Sequence, residues 1–360
     1  MTRYLCILFL ALFLISCTQV VEVRQACNIT DHRPIVELKN LTSPDISKNT
    51  CENSSSTQKT TQYSGLLSPR IYSGILEPKS FLISNFGPLR NDIRVYFLEK
   101  NVNGSVYIEN LRNGANAGIN QNRGYFPASL NKLPVAVMIM QKVEDGKLSL
   151  DEPLQIKDNQ RTDTYGGLHS TDKKELPVKE LLEIMLEDSD NTAFNVLKAH
   201  TDKSDLKRLL DYYDIKENLD YPDRRLEYAN RTDLVTPISL YNLFSSLYLS
   251  TVLYANDSEY LLTLLSQTDF DINGLADLPP NVTVAQKFGE YYIDNTRLFH
   301  DCGIMYVGES RIFYCIMTRN LEKDTAKEVI GHTVNLIYNY VTDTRARLDS
   351  EYRNYSVGSK

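Results

Sequence analysis

The chain has 360 residues, 42% of them hydrophobic and 24% charged, with 16 Gly and 13 Pro; this is a globular composition that excludes collagen, coiled coil and wholesale disorder. Its length outgrows a single core, so one large domain with appendages, or two domains, is expected. Lys and Arg number 39 against 46 Asp and Glu, a net charge of −7, which argues against a nucleic-acid binder that works by neutralising phosphate.

Arg3 precedes an unbroken apolar run over residues 5–15. The run is too short for a ~30 Å hydrocarbon core, which takes ~20 helical residues, and has the length of a signal-peptide apolar segment. It ends in Leu14, Ile15, Ser16 and Cys17, which resembles a bacterial lipobox with Cys17 as the lipidated residue; ordinary signal cleavage near Ala26 is the alternative. Both readings export the chain, the first onto a membrane through its lipid. Residues 18–62 are rich in Ser, Thr and Asn without apolar period and read as a flexible tether. A nine-residue near-repeat, Tyr63-Ser64-Gly65 and Tyr72-Ser73-Gly74 at its starts, reads as extended segments that pack on the main domain. The expected organisation is a signal peptide at 1–17, tether and packing segment at 18–84, main domain at 85–345 and tail at 346–360.

Within the main domain, alternation over residues 93–98 and 106–110 about Asn103-Gly104 predicts a hairpin. Residues 130–142 predict an apolar helix. Val178, Leu181, Leu182, Met185 and Leu186 predict a second helix over 178–187, and a third runs over 192–199. Strands are predicted over 283–288, 298–307 and 312–318. The last two form a hairpin about Gly308 and Glu309 that sets Cys302 opposite Cys315; a cross-strand disulfide and two buried free thiols both fit. A final helix carries Ala326, Ile330, Val334, Ile337 and Val341 on one face. Strands at both ends with helices between imply an α+β fold: an antiparallel sheet in which N- and C-terminal strands pair, flanked by helices, with an all-helical middle.

Three short patterns carry chemistry. Ser129 opens the 130–142 helix with Lys132 three residues later, on one face of the first turn. A serine hydroxyl attacks only when a base takes its proton, and a lysine is such a base only when burial and neighbouring charge lower its pKa. Ser189-Asp190-Asn191 sits between two helices, and Lys287-Phe288-Gly289 ends an apolar strand. Taken singly, these read as two helix caps and an edge strand with a surface lysine.

In this order and on these elements the three patterns resemble those of the penicillin-recognising serine hydrolases, class A β-lactamases and penicillin-binding proteins. The resemblance runs from about residue 91 to 341; Tyr165-Gly166-Gly167 and Thr236-Pro237 agree with it. It implies Ser129 as acylated nucleophile, Lys132 as its base, Ser189 as proton donor to the leaving group, Asn191 as holder of the substrate amide and Lys287 as the charge that shapes the field around Ser189. It further implies an oxyanion hole from the N–H groups of Ser129 and a residue past Gly289, taken as Tyr291, with no metal or cofactor. His300 is read as structural.

The chain departs from that pattern at several places. The deacylating glutamate has its nearest match in Glu227, one residue out of register. Phe288 stands where a hydroxyl residue binds the substrate carboxylate, and a phenyl ring cannot donate that bond. Cys302 stands where an arginine does so, with Arg297 as the substitute, and Glu290 is expected to repel an anion. The expected function is β-lactamase-type hydrolysis by an exported monomer, on a small β-lactam or a peptidoglycan-like amide or ester. The alternatives are a slow-deacylating D,D-peptidase or esterase of the cell envelope, and a catalytically silent envelope-binding module, which has no physical reason to keep all five polar residues.

Overall fold

The computed structural model describes residues 85–215, 235–293 and 296–357. Cys17, the near-repeat and Glu227 lie outside them. In chain order the elements are α1 (Gly87–Glu99), β1 (Gly104–Asn110), β2 (Asn116–Ile119), a 3-10 turn (Ala128–Asn131), α2 (Lys132–Glu144), β3 (Pro153–Gln155), β4 (Glu175–Pro177), α3 (Val178–Leu186), α4 (Asn191–Ala199), α5 (Lys203–Tyr212), α6 (Pro237–Tyr248), α7 (Ala255–Leu265), α8 (Ile272–Leu275), β5 (Thr283–Ile293), β6 (Thr296–Val307), β7 (Ser310–Arg319) and α9 (Lys323–Val357).

The main sheet is antiparallel in the order β2-β1-β7-β6-β5, so strands from the two ends of the domain pair at its centre. Strand β7 is covered on both faces and is apolar almost throughout, as a central strand requires. Ile312, Tyr314 and Ile316 point into one core with Ile93 of α1 and Ile330, Val334 and Ile337 of α9. Phe313, Cys315 and Met317 point into the other, with Val137 of α2, Leu182 of α3 and Phe244 of α6. Helix α9 covers the first face because Ala326, Ile330, Val334, Ile337 and Val341, all buried, recur at helical spacing. Cys302 and Cys315 face each other across β6 and β7 and form a disulfide on the side of the helical layer.

One element differs from expectation. Residues 93–98 are not a strand but the second half of α1. The alternation of Ile93, Val95 and Phe97 is local, whereas Phe86, Leu89, Ile93 and Phe97 form a longer buried stripe at helical spacing, with Val95 53% and Leu98 72% exposed. The partner of β1 is therefore β2 on one side and β7 on the other.

Because Ile330 is fully buried between α9 and the sheet, Ile330→Ala is expected to lower unfolding free energy by about 3 kcal/mol. Urea unfolding measures this, and a change below about 1 kcal/mol contradicts the packing.

Candidate active site

Ser129 is set by a turn rather than by the α-helix itself. Tyr125 pairs with Val235 through two backbone bonds of 2.9 Å. The chain then tightens through Ala128, a non-glycine residue at φ +49°, into the 3-10 turn that contains Ser129. With three residues per turn, residues three apart eclipse. Lys132, the first residue of α2, therefore lies beneath Ser129, its Nζ 2.8 Å from Ser129 Oγ.

Ser189 is presented by the corner between α3 and α4, also at positive φ, +58°. Asp190 pins that corner: one carboxylate oxygen caps α4 at Ala193 N, 2.8 Å, and the other accepts from Leu168 N, 2.9 Å. Gly166, at φ +87°, passes so close that a Cβ there would lie 2.1 Å from the Asp190 carboxylate. Asn191 accepts from Lys132 Nζ through Oδ1 at 2.7 Å and donates to Thr164 Oγ1 at 2.7 Å. Lys287 of β5 donates to Ser189 Oγ at 2.9 Å. The structure thus brings Ser129, Lys132, Ser189, Asn191 and Lys287 into one hydrogen-bonded cluster.

The electrostatics follow from burial. Lys132 and Lys287 are both buried, as are Ser189 and Asp190. Burial, and secondly the charge of Lys287, hold the Lys132 amine well below the ordinary lysine range, against the opposing pull of Asp190. Burial pushes Lys287 down to about 7, with Asp301 opposing. Besides Ser129, Lys132 Nζ meets Ser189 O at 2.6 Å and Ser189 Oγ at 3.1 Å. A neutral amine has two hydrogens and one lone pair. Spent on Ser189 O and Asn191 Oδ1, which only accept, the hydrogens leave the lone pair for the serine hydroxyls.

The edge of β5 closes the site. A Cβ on Gly289 would lie 2.8 Å from Pro127 O, so glycine lets the strand lie against the serine turn. The phase of the ladder follows from its end bonds. Leu111 N donates to Arg311 O and Arg319 N to Asn103 O, both 2.9 Å, so odd-numbered residues of β7 face β1 and even-numbered ones face β6. By the same alternation the even residues of β6 face β5, and Leu298 bonds Tyr291 while His300 bonds Gly289. The N–H of Tyr291 is therefore spent on β6. The first outward N–H past Gly289 is that of Glu290, which corrects the expectation for Tyr291; its ring instead packs on Phe126, 4.7 Å between centroids. Ladder phase, not residue type, carried the signal.

The other departures resolve as follows. Phe288 is buried among Phe270 and Phe299, at 5.1 and 6.3 Å between centroids, with Tyr165 edge-on to its ring and the Lys287 amine over it at 4.3 Å. It is core more than substrate surface, a correction to its place among the binding residues. Cys302, opposite Lys287, is buried in the disulfide. Arg297 pairs with Glu322 and lies over the Tyr292 ring, so it does not stand in for an arginine at Cys302. Glu290 is bound by Lys323 at 2.8 Å, which offsets the repulsion expected of it.

A folded amine with a lowered pKa binds fewer protons than its unfolded form, so Lys287 makes stability rise with pH from about 7 towards the ordinary lysine range. Lys132 acts with the same sign. Asp301, pushed up to about 7 by burial, makes stability fall as pH rises from the ordinary carboxylate range to about 7. Urea unfolding across this range is expected to show both limbs, with the alkaline slope reduced in Lys287→Met. An unchanged alkaline slope contradicts the lowered pKa of Lys287.

The family model described as the beta-lactamase enzyme family matches residues 88–341. Among solved structures, a β-lactamase from Chitinophaga pinensis gives a TM-score of 0.63 at 18% identity, covering 71% of this chain and 100% of its own. A class A β-lactamase representative from Bacteroides cellulosilyticus gives 0.61 at 16% identity, covering 71% of this chain and 97% of its own. A PBP-A variant, solved as an acyl-enzyme complex with penicillin G, gives 0.64 at 20% identity, covering 73% of this chain and 100% of its own. No curated protein matches the chain. At these identities the solved structures show likeness of fold. The family match spans most of the chain, which therefore belongs to the beta-lactamase enzyme family and is a serine hydrolase of the penicillin-recognising type.

Proposed function

We propose that this hydrolase opens a strained cyclic amide of the β-lactam type through an acyl-enzyme on Ser129. The observation that carries the reading is one amine, Lys132 Nζ, 2.8 Å from Ser129 Oγ and 3.1 Å from Ser189 Oγ. A single base thereby reaches both the hydroxyl that attacks and the hydroxyl that serves the leaving group.

Ser129 Oγ bonds to the amide carbon as its proton passes to the Lys132 lone pair. The N–H groups of Ser129 and Glu290 receive the oxyanion; the first stands just ahead of the bond from Leu130 N to Pro127 O that opens the serine turn, and the second points out from the edge of β5. When the C–N bond breaks, the leaving nitrogen takes the proton of Ser189 Oγ, which Lys132 replaces, and the amine is neutral again. Asn191 orients the substrate amide, and Lys287 keeps positive potential at Ser189. Water then cleaves the ester, with Glu227 as its proposed base. The penicillin G adduct of the PBP-A variant supports a small β-lactam as substrate.

The second reading is a slow-deacylating D,D-peptidase or esterase, and one observation favours its esterase form, which needs no substrate carboxylate. The positions expected to bind a substrate carboxylate hold a buried phenyl ring, Phe288, and a disulfide sulfur, Cys302. We also propose export and lipid attachment at Cys17, supported by the apolar run over residues 5–15 and by Ser16-Cys17.

Time-resolved intact mass of the protein mixed with penicillin G is expected to show an adduct on Ser129 that Ser129→Ala abolishes and Lys132→Met slows by about 10²-fold or more. Rapid turnover without accumulation supports the β-lactamase reading, and a lasting adduct the second. Adduct formation unchanged by Ser129→Ala contradicts both.

A further inference from the structure

We propose that His300 is a positioning residue for the nucleophile: its imidazole holds the Phe126 carbonyl and so fixes the turn that presents Ser129. The inference rests on Ser129 being the acylated residue.

His300 is fully buried on β6, directly opposite Gly289. Gly289 in turn lies against Pro127 and Ala128, so the imidazole sits where the sheet edge meets the serine turn. Its Nε2 is 3.1 Å from Phe126 O. A carbonyl only accepts, so Nε2 carries the hydrogen and Nδ1 carries the lone pair. No bond of good geometry reaches Nδ1 among the described residues; the Phe299 carbonyl near the ring only accepts and so offers its lone pair no hydrogen. A buried polar atom left unpaired is unfavourable, and an apolar side chain of similar bulk would avoid it. The bond that sets the imidazole apart from such a side chain is the one to the turn.

The turn has reason to need an external hold. Ala128, two residues past Phe126 and one before Ser129, is at φ +49°, a conformation that L residues adopt only where the surroundings impose it. Residue 127 is proline, with no N–H to contribute. The ring itself is braced by Tyr125, edge-on at 5.4 Å between centroids, whose hydroxyl is 2.8 Å from Ser105 Oγ. Burial pushes His300 down to about 4 and Arg319 adds to this, while the carbonyls of Phe126 and Phe299 oppose it. The ring therefore stays neutral through the neutral range, and its bond to Phe126 O sets the Nε2–H tautomer.

The test compares His300→Leu, which keeps bulk and loses the donor, with His300→Gln, whose amide N–H reaches a similar distance. With penicillin G and intact-mass detection, His300→Leu is expected to lower the rate of Ser129 acylation by about 10- to 100-fold with half-saturating concentration unchanged, since a small misplacement of a reacting group has that effect. His300→Gln is expected to stay within about 5-fold of wild type. Leu at the wild-type rate, or Gln as slow as Leu, overturns the proposal. Long-range 1H–15N NMR of the wild-type chain is expected to show the Nε2–H tautomer across the neutral range; the Nδ1–H tautomer overturns the proposal without any variant having to fold. An acylated wild type with an equally fast His300→Leu removes this inference alone, whereas a wild type that penicillin G does not acylate removes the Ser129 reading and this one with it.

Discussion

Two lysine side chains, Lys132 and Lys287, end within 3.1 and 2.9 Å of one buried hydroxyl, Ser189 Oγ. Two ammonium groups cannot both stay charged so close together away from water without strong opposition from desolvation and from each other. The site is thus a place where an amine is held neutral, and a neutral amine is a base. What makes the arrangement tolerable is the rest of the fold. Ser189 O and Asn191 Oδ1 take the hydrogens of Lys132, and Asp190, itself locked into two backbone amides, supplies the nearest compensating charge.

These groups come from different elements. The 3-10 turn and α2 bring Ser129 and Lys132, the corner between α3 and α4 brings Ser189, and the edge strand β5 brings Lys287. Two of the non-glycine residues at positive φ, Ala128 and Ser189, stand at the site itself. The sheet edge has a second consequence. The charged residues around it are already committed, Glu290 to Lys323 and Arg297 to Glu322, and Phe288 has joined the core. The acylating side of the cleft is therefore rich in hydrogen-bonding groups, while the side expected to grip a carboxylate is aromatic and disulfide-bonded.

The five polar residues of the cluster are legible in the sequence through the resemblance of three patterns, taken in their order, to the penicillin-recognising serine hydrolases; singly each reads as a cap or a surface lysine. The pairing of end strands is legible too, since strand patterns stand at both ends of the domain with helices between them. Other features turn on geometry that residue types do not encode. Ile93, Val95 and Phe97 alternate like a strand, and only the longer stripe from Phe86 and Leu89 shows the helix. Whether Glu290 or Tyr291 offers its N–H depends on the phase of the ladder, which is set at the far hairpin of β6 and β7. The partners of Glu290 and Arg297 lie at and just before the start of α9, too far along the chain for spacing to suggest them. His300 reads as an ordinary core histidine until its one made bond is seen to end on the serine turn.

The claim at the centre is the protonation state of a single amine. Nuclear magnetic resonance titration of the protein with 13Cε-labelled lysine, assigned by the loss of one signal in Lys132→Met, measures it without substrate. The account predicts that Lys132 loses its charge well below the ordinary lysine value of about 10.4. A Lys132 signal that stays fully charged up to that ordinary value would contradict it.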